Sequence, residues 1–255
     1  MEEQFESLIE IVKKQPIKGC ITGSILLGYF FEEESLQDVD VFVYDDKSFQ
    51  KLLFFCHHSP LFHILDPLEQ WKFDQYINRN DTSINKIGLV TIKFMYNLTI
   101  PLNITIKKNC TNILSVLSSF DMDIICNGFD IETQQYLDLT YGSTITKVAN
   151  YNRWNPHFKS NEIWQISRLL RQSERVFKYS KRNINTDNMA KLYIELADKV
   201  QEHNSIFSNA VSYNESLNNT KKNAIIIKEI LNVWLVTHTL SKKEQELLKT
   251  KINLI

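Results

Sequence analysis

The chain has 255 residues, 43% hydrophobic and 23% charged. That is enough apolar material for one large core or two small ones, and it excludes intrinsic disorder and fibres. Its 29 basic and 30 acidic side chains leave a formal charge of −1, so a general cationic coat is absent and any polyanion has to be met by a local site. The longest apolar runs, such as Ala224 to Val236, are interrupted, here by Lys228, Glu229 and Asn232, before the ~20 residues a bilayer crossing needs. The opening Met-Glu-Glu-Gln is unlike a secretory signal. The expectation is a soluble, cytoplasmic protein with no membrane partner.

A first helix is predicted over Phe5 to Lys14, from Phe5, Leu8, Ile9 and Val12 at helical spacing, and it stops before Pro16. Ile17 to Thr22 reads as a short buried strand, Gly23-Ser24 as a turn, and Ile25 to Phe31 as a short buried helix. An acidic loop leads into Asp38 to Tyr44, where charged and apolar residues alternate as in a half-buried strand. A helix near Lys47 to Phe55, a strand at Phe62 to Leu65 and a helix near Leu68 to Tyr76 follow. The strands Leu89 to Tyr96 and Leu102 to Lys107 are joined by a hairpin-like turn at Asn97 to Pro101. Thr111 to Phe120 reads as a helix and Asp121 to Phe129 as a further strand, which makes the first part an α/β alternation around one sheet.

Beyond Arg153 the periodicity becomes helical, near Asn161 to Tyr179, Asp187 to Glu202, Lys221 to Thr239 and Lys242 to Ile252, with a polar loop at Ser205 to Asn219. The domain expectation is therefore 1–150 for the sheet and 151–255 for an all-helical part.

Cys20, Cys56, Cys110 and Cys126 are far apart and mostly within apolar stretches, so they read as buried reduced thiols. Cys56-His57-His58 with His63 is the nearest thing to a ligand cluster, but adjacent histidines point in different directions on a helix or a strand. The four tryptophans, Trp71, Trp154, Trp164 and Trp234, read as core, although Tyr151 to Trp154 stands where the two halves meet and a base could stack. Neither a Gly-Lys-Ser/Thr phosphate loop nor a Gly-x-Ser-x-Gly elbow is present.

The chemistry gathers at Gly23-Ser24 and at Asp38-Val39-Asp40-Val41. Carboxylates at i and i+2 on a strand project from one face, and their repulsion is relieved by a cation between them. Mg²⁺ suits such oxygen donors and shares them with phosphates. Two such ions, roughly 3.5 to 4 Å apart, can hold a nucleoside triphosphate, activate a hydroxyl and neutralise departing pyrophosphate. A glycine at position 23 lets the backbone approach a phosphate, and the Ser24 hydroxyl and the helix start beyond it offer donors.

This pattern resembles the DNA polymerase beta-like nucleotidyltransferase superfamily, whose signature is an apolar residue, Gly, then Gly or Ser, followed after a spacer by an acid–apolar–acid–apolar strand. Thr22 departs from it at the position before Gly23. The resemblance implies an α+β fold: a nucleotidyltransferase-type mixed β-sheet with helices, followed by the helical domain, which would close over nucleotide in the cleft between them. It implies two Mg²⁺ ions, with Mn²⁺ as a substitute, a nucleoside triphosphate such as ATP, and transfer of a nucleoside monophosphate to a hydroxyl.

A third carboxylate is expected on a neighbouring strand, where Asn103 occupies the acid-like slot of Pro101 to Ile106. The following Phe120-Asp121-Met122-Asp123-Ile124-Ile125-Cys126 is similar to a Phe-Asp-x-x-x-Cys segment of virus- and phage-like members, with one extra residue before the cysteine. By that likeness Asp121 is the third acid and Asp123 its reserve, and the cytoplasm is that of a virus's host. The implied roles are Asp38 and Asp40 on both metals, Asp121 completing the second site and assisting deprotonation, and Gly23 and Ser24 at the β- or γ-phosphate.

The same subgroup suggests a basic helix, matched by Arg168, Arg171, Arg175, Lys178 and Arg182 on one helical face. Arg171, Arg175 and Lys178 would meet the triphosphate or an RNA backbone. The acceptor expectation leans to RNA or tRNA because of that stripe. A protein-modifying, AMPylating toxin-like enzyme comes next, then an inactive nucleotide-binding or scaffold protein. Oligomeric state is open.

Overall fold

The computed structural model describes residues 2–23, 26, 38–78, 88–140, 142–150, 152, 155, 175–176, 178–180, 182–189, 198, 228, 232, 235 and 241–254. The chain forms two compact units, Met1–Ile145 with Asn152–Pro156, and Thr146–Tyr151 with His157–Ile255.

The first unit is a mixed α+β structure on a seven-stranded sheet. Its elements are α1 (Glu2–Lys13), β1 (Gly19–Thr22), β2 (Val39–Val43), α2 (Asp46–His58), β3 (Phe62–Ile64), α3 (Pro67–Asn78), β4 (Leu89–Tyr96), β5 (Ile100–Lys107), α4 (Ile113–Ser118), a 3-10 turn (Asp123–Ile125), β6 (Asn127–Asp130), β7 (Gln135–Asp138) and α5 (Ser143–Thr146). The strand order is β3-β4-β5-β2-β1-β6-β7. Within this sheet, among the described residues, the β2–β5 pair is parallel and the other pairs are antiparallel.

One face of the sheet builds the main core. Val39, Val41 and Val43 of β2, Leu102, Ile104 and Ile106 of β5, and Ile92 and Phe94 of β4 meet Phe5, Leu8, Ile9 and Val12 of α1 and Phe49, Leu52 and Leu53 of α2. Burying side chains of this size stabilises the unit by about 1.5–3 kcal/mol each. Local signals set the helix ends: Asp45 caps α2 by accepting the Ser48 amide at 2.6 Å, and Asn112 and Ser115 cap α4 reciprocally.

The opposite face is covered over β1 and the far part of β2 by a smaller cluster. Here Cys20, Phe42 and Tyr44 pack with Cys110, Ile113, Val116 and Phe120 from the α4 region.

Three sequence expectations are corrected. The stretch 121–129 is not one strand: Asp123 to Ile125 turn as a 3-10 helix, closed by the Cys126 amide on the Asp123 carbonyl at 2.8 Å, and the strand begins only at Asn127. Strand β7 carries no strand signal in the sequence, because the half-exposed and exposed residues of Gln135–Asp138 show no buried alternation. Trp71 is 58% exposed on α3 rather than in the core.

In the second unit the described residues include helical positions at 175–176, 178–180, 198, 228, 232 and 235, a 3-10 turn (Asp187–Met189) and α6 (Lys242–Leu254). Val148 and Asn185 form a parallel bridge. Most of the helices expected over 151–255, like the helix expected at 25–31, lie outside the described residues. Among the described residues no helix is long and apolar enough to cross a membrane.

Candidate functional site: a carboxylate pair beside a glycine bend

Strand register assembles the site. The antiparallel pairing of β1 and β2 sets Thr22 opposite Asp40, the parallel pairing of β2 and β5 sets Asp40 opposite Asn103, and the antiparallel pairing of β4 and β5 sets Asn103 opposite Lys93. Directly opposed residues share a face, so Thr22, Asp40, Asn103 and Lys93 form one row across four strands. It lies on the face away from the main core. Asp38, just ahead of β2, comes to the same place: Asn103 Nδ2 donates to Asp38 Oδ2 at 2.9 Å and to Asp40 Oδ1 at 2.8 Å. Two like charges are thereby drawn to a single amide nitrogen, and both carboxylates are half-buried.

The glycine bend stands against this pair. Gly23 has φ +90°, a conformation side chains with Cβ rarely adopt, and a Cβ placed there would come 2.5 Å from Asp40 Oδ2. The turn is anchored from below by Thr22, whose Oγ1 donates to the Asn127 carbonyl at 2.6 Å in a buried contact. Glycine at 23 is thus required twice over, by backbone conformation and by the close approach of a carboxylate.

The remaining sequence-predicted residues divide. Ser24 and Arg171 lie outside the described residues, as does Arg168. Arg175 and Lys178 lie at helical positions of the second unit. Arg182 is corrected from the helical stripe to a turn, where its amide donates to the Tyr179 carbonyl and its guanidinium stands 5.7 Å from that ring's centre.

Asp121 follows Phe120, which packs edge-on against Phe42 at 5.7 Å between ring centres, on the face that carries Asp40. Asp121 is half-buried and its carbonyl accepts the Asn152 amide at 2.9 Å. Among the described residues no three of His, Cys, Asp and Glu are grouped closely enough to hold a metal ion. Asp123 does not share a strand face with Asp121; it is buried in the 3-10 turn and accepts a hydrogen bond from Ser143 Oγ at 2.6 Å.

Further along the same face a hydrogen-bond network holds Asp130. Tyr44 Oη donates to Asp130 Oδ2 at 2.8 Å, and Thr133 gives Asp130 Oδ1 both its amide, at 2.9 Å, and its hydroxyl, at 3.1 Å. Burial raises the Tyr44 hydroxyl pKa and pushes the Cys20 thiol up to about 12. All four cysteines are buried free thiols. His57 stacks on Phe73 at 4.6 Å and His58 Nδ1 meets the Phe54 carbonyl at 2.8 Å, which accounts for that histidine pair without a ligand role.

Two residues escaped the sequence reading. Lys93 is a lone cation between apolar neighbours, and its position beside Asn103 depends on register. Asn127 is sealed from solvent with no partner for either polar atom of its amide; a buried asparagine in a strand carries no sequence signal.

The fit to magnesium is partial. Asp38 and Asp40 provide hard oxygen donors side by side, the chemistry that Mg²⁺ or Mn²⁺ takes, while the oxygens that converge, Asp38 Oδ2 and Asp40 Oδ1, do so on the Asn103 amide nitrogen. The neighbouring strand provides an amide where a second ion would need a carboxylate.

No family model and no curated protein sequence matches the chain. Among solved structures it is similar to a CCA-adding enzyme from Thermotoga maritima, solved as a complex with tRNA CCA. The TM-score is 0.41 and the identity 10%, over 98% of this chain and 80% of that one.

Proposed function

We propose that the first unit binds a nucleoside triphosphate and transfers its nucleoside monophosphate to a hydroxyl acceptor. The observation that carries this reading is the pair of carboxylates, Asp38 and Asp40, held side by side by the Asn103 amide, with Asp40 against the Gly23 bend. Asp38 and Asp40 would hold the divalent cation that accompanies the nucleotide, and that cation would supply charge neutralisation at the phosphates. Gly23, with no side chain to block it, leaves the backbone open to a phosphate, and Ser24 adds a hydroxyl donor. In the reaction the acceptor oxygen bonds to the α-phosphorus, the bond from that phosphorus to the bridging oxygen breaks, and pyrophosphate leaves with that bond's electrons. The acceptor's proton passes to a carboxylate of the pair or to Asp121. Catalysis of this kind is positioning and electrostatics rather than covalent chemistry by the protein.

The acceptor we favour is the 3′ end of an RNA, because Arg171, Arg175 and Lys178 recur at helical spacing and can follow a phosphate backbone. A second reading, nucleotide binding without transfer, is favoured by Asn103 in place of an acid.

Labelled nucleoside triphosphates, Mg²⁺ and a cell extract separate these readings. Label in nuclease-sensitive material supports the RNA acceptor, and label in protease-sensitive material moves the reading to protein modification. Nucleotide binding without incorporation supports the second reading. Transfer that survives in both Asp38→Asn and Asp40→Asn overturns the site.

A further inference from the structure

We infer that this site takes its nucleotide with a single divalent cation, and that Lys93, rather than a second ion, neutralises the polyphosphate. The inference rests on the nucleotide-binding reading above and goes beyond it by fixing how the site divides its charge.

Two independent features of the row carry it. The first is Asn103. Its Nδ2 offers one proton to Asp38 Oδ2 and one to Asp40 Oδ1, so it locks the two carboxylates into one geometry without adding negative charge. A pair of closely spaced dications needs bridging anionic ligands to offset their mutual repulsion. An amide in that slot, presenting its nitrogen to both acids, leaves the donor set suited to one ion.

The second is Lys93. The β4–β5 register puts it directly opposite Asn103, on the same sheet face as Asp40 and two strands from it, about 10 Å between Cα atoms at ordinary strand spacing. The backbone beneath it is fixed, because its amide donates to Glu69 Oε2 at 3.0 Å and its carbonyl accepts the Leu65 amide at 3.3 Å. Its side chain is half-exposed.

Along the row the charge therefore runs from two carboxylates through a neutral amide to an ammonium, a gradient that a three-carboxylate site would lack. A triphosphate whose cation sits at Asp38 and Asp40 can extend its anionic tail toward Lys93, where a point charge with several donors is the ordinary phosphate partner.

The test counts ions and nucleotide on the full-length protein without needing turnover. The probe is Mn²⁺, followed by electron paramagnetic resonance. It is titrated in the presence of the α,β-methylene analogue of whichever of the four nucleoside triphosphates binds tightest. The expected result is one Mn²⁺ per chain in the wild type and two in Asn103→Asp. Lys93→Gln should keep one Mn²⁺ but weaken nucleotide binding by about tenfold or more.

Two ions in the wild type, one of them lost in Asp121→Asn, overturn the inference while leaving the nucleotide-binding reading intact. So does unchanged nucleotide affinity in Lys93→Gln, or a count that stays at one in Asn103→Asp with its circular dichroism and melting temperature preserved. Failure of all four nucleotides to bind, with or without Mn²⁺, brings down the parent reading and this one together.

Discussion

Two carboxylate stations on one sheet face, Asp38 with Asp40 at β2 and Asp130 on β6 across β1 from it, are built on opposite principles. At Asp130 the acid is buried and meets three donors from Tyr44 and Thr133. At Asp38 and Asp40 two acids are half-buried and crowd onto the same amide nitrogen of Asn103. A buried carboxylate with several donors has its charge spread over fixed dipoles and gains nothing from a cation. Two like charges held together next to a bend that only glycine fits retain repulsion that a cation would relieve. Acidity and position on the sheet do not distinguish the stations; what surrounds each oxygen does.

Substitutions along the row should separate stability from function, and the largest effect is expected at the pair. Asp38→Asn or Asp40→Asn should each lower the transfer rate by about 10³-fold or more, roughly 4 kcal/mol in the barrier, with a melting temperature close to that of the wild type. A large loss of stability would mean that the pair is structural, as Asp130 is.

Gly23→Ala comes next, because it brings both the steric conflict with Asp40 Oδ2 and the φ of +90°. It should cost about 1–3 kcal/mol of stability and reduce nucleotide affinity in a binding titration. At the other station Asp130→Asn should remove about 1–3 kcal/mol of stability, measured by urea denaturation, and leave transfer unchanged. Loss of transfer there with stability intact would erase the contrast.

Tyr44→Phe deletes one of the three donors and should cost about 1 kcal/mol. Smallest of all, Asn127→Leu replaces an unpartnered buried amide by an apolar side chain of similar size and should be neutral or slightly stabilising.

Thiol reactivity offers a check on the packing of both faces, with Cys56 in the main core and Cys20 and Cys110 in the smaller cluster. Burial raises the pKa of Cys20, Cys56, Cys110 and Cys126, which keeps them as thiols at neutral pH. Alkylation of the native protein should therefore be slow at pH 8 and become fast in denaturant. Rapid labelling of Cys20 in the native state would show that the face beyond Phe42 opens.

Much of the sheet was readable from pattern. Strand β4 occupies the expected Leu89–Tyr96, β2 loses only a residue from each end of its predicted span, and α1 and α2 follow the apolar spacing that faces the core. The spacing of Asp38 and Asp40 already implied a shared face, because alternation is a property of a strand by itself. The reading failed where local pattern and tertiary contact disagree. The sequence around Asp121 and Asp123 alternates like a strand, yet Ser143 captures the Asp123 carboxylate and the chain turns. The polar β7 exists because β6 offers it a partner edge.

Sequence alone determined the acid pair, the glycine bend and the apolar strands between them, since each depends on chemistry and on periodicities a few residues long. Tertiary structure decided which neighbours the pair acquired. Asn103 reaches Asp40 through a parallel pairing between segments distant in the chain, and Lys93 reaches Asn103 through the antiparallel β4–β5 hairpin; a slip of one residue in either would turn them to the other face.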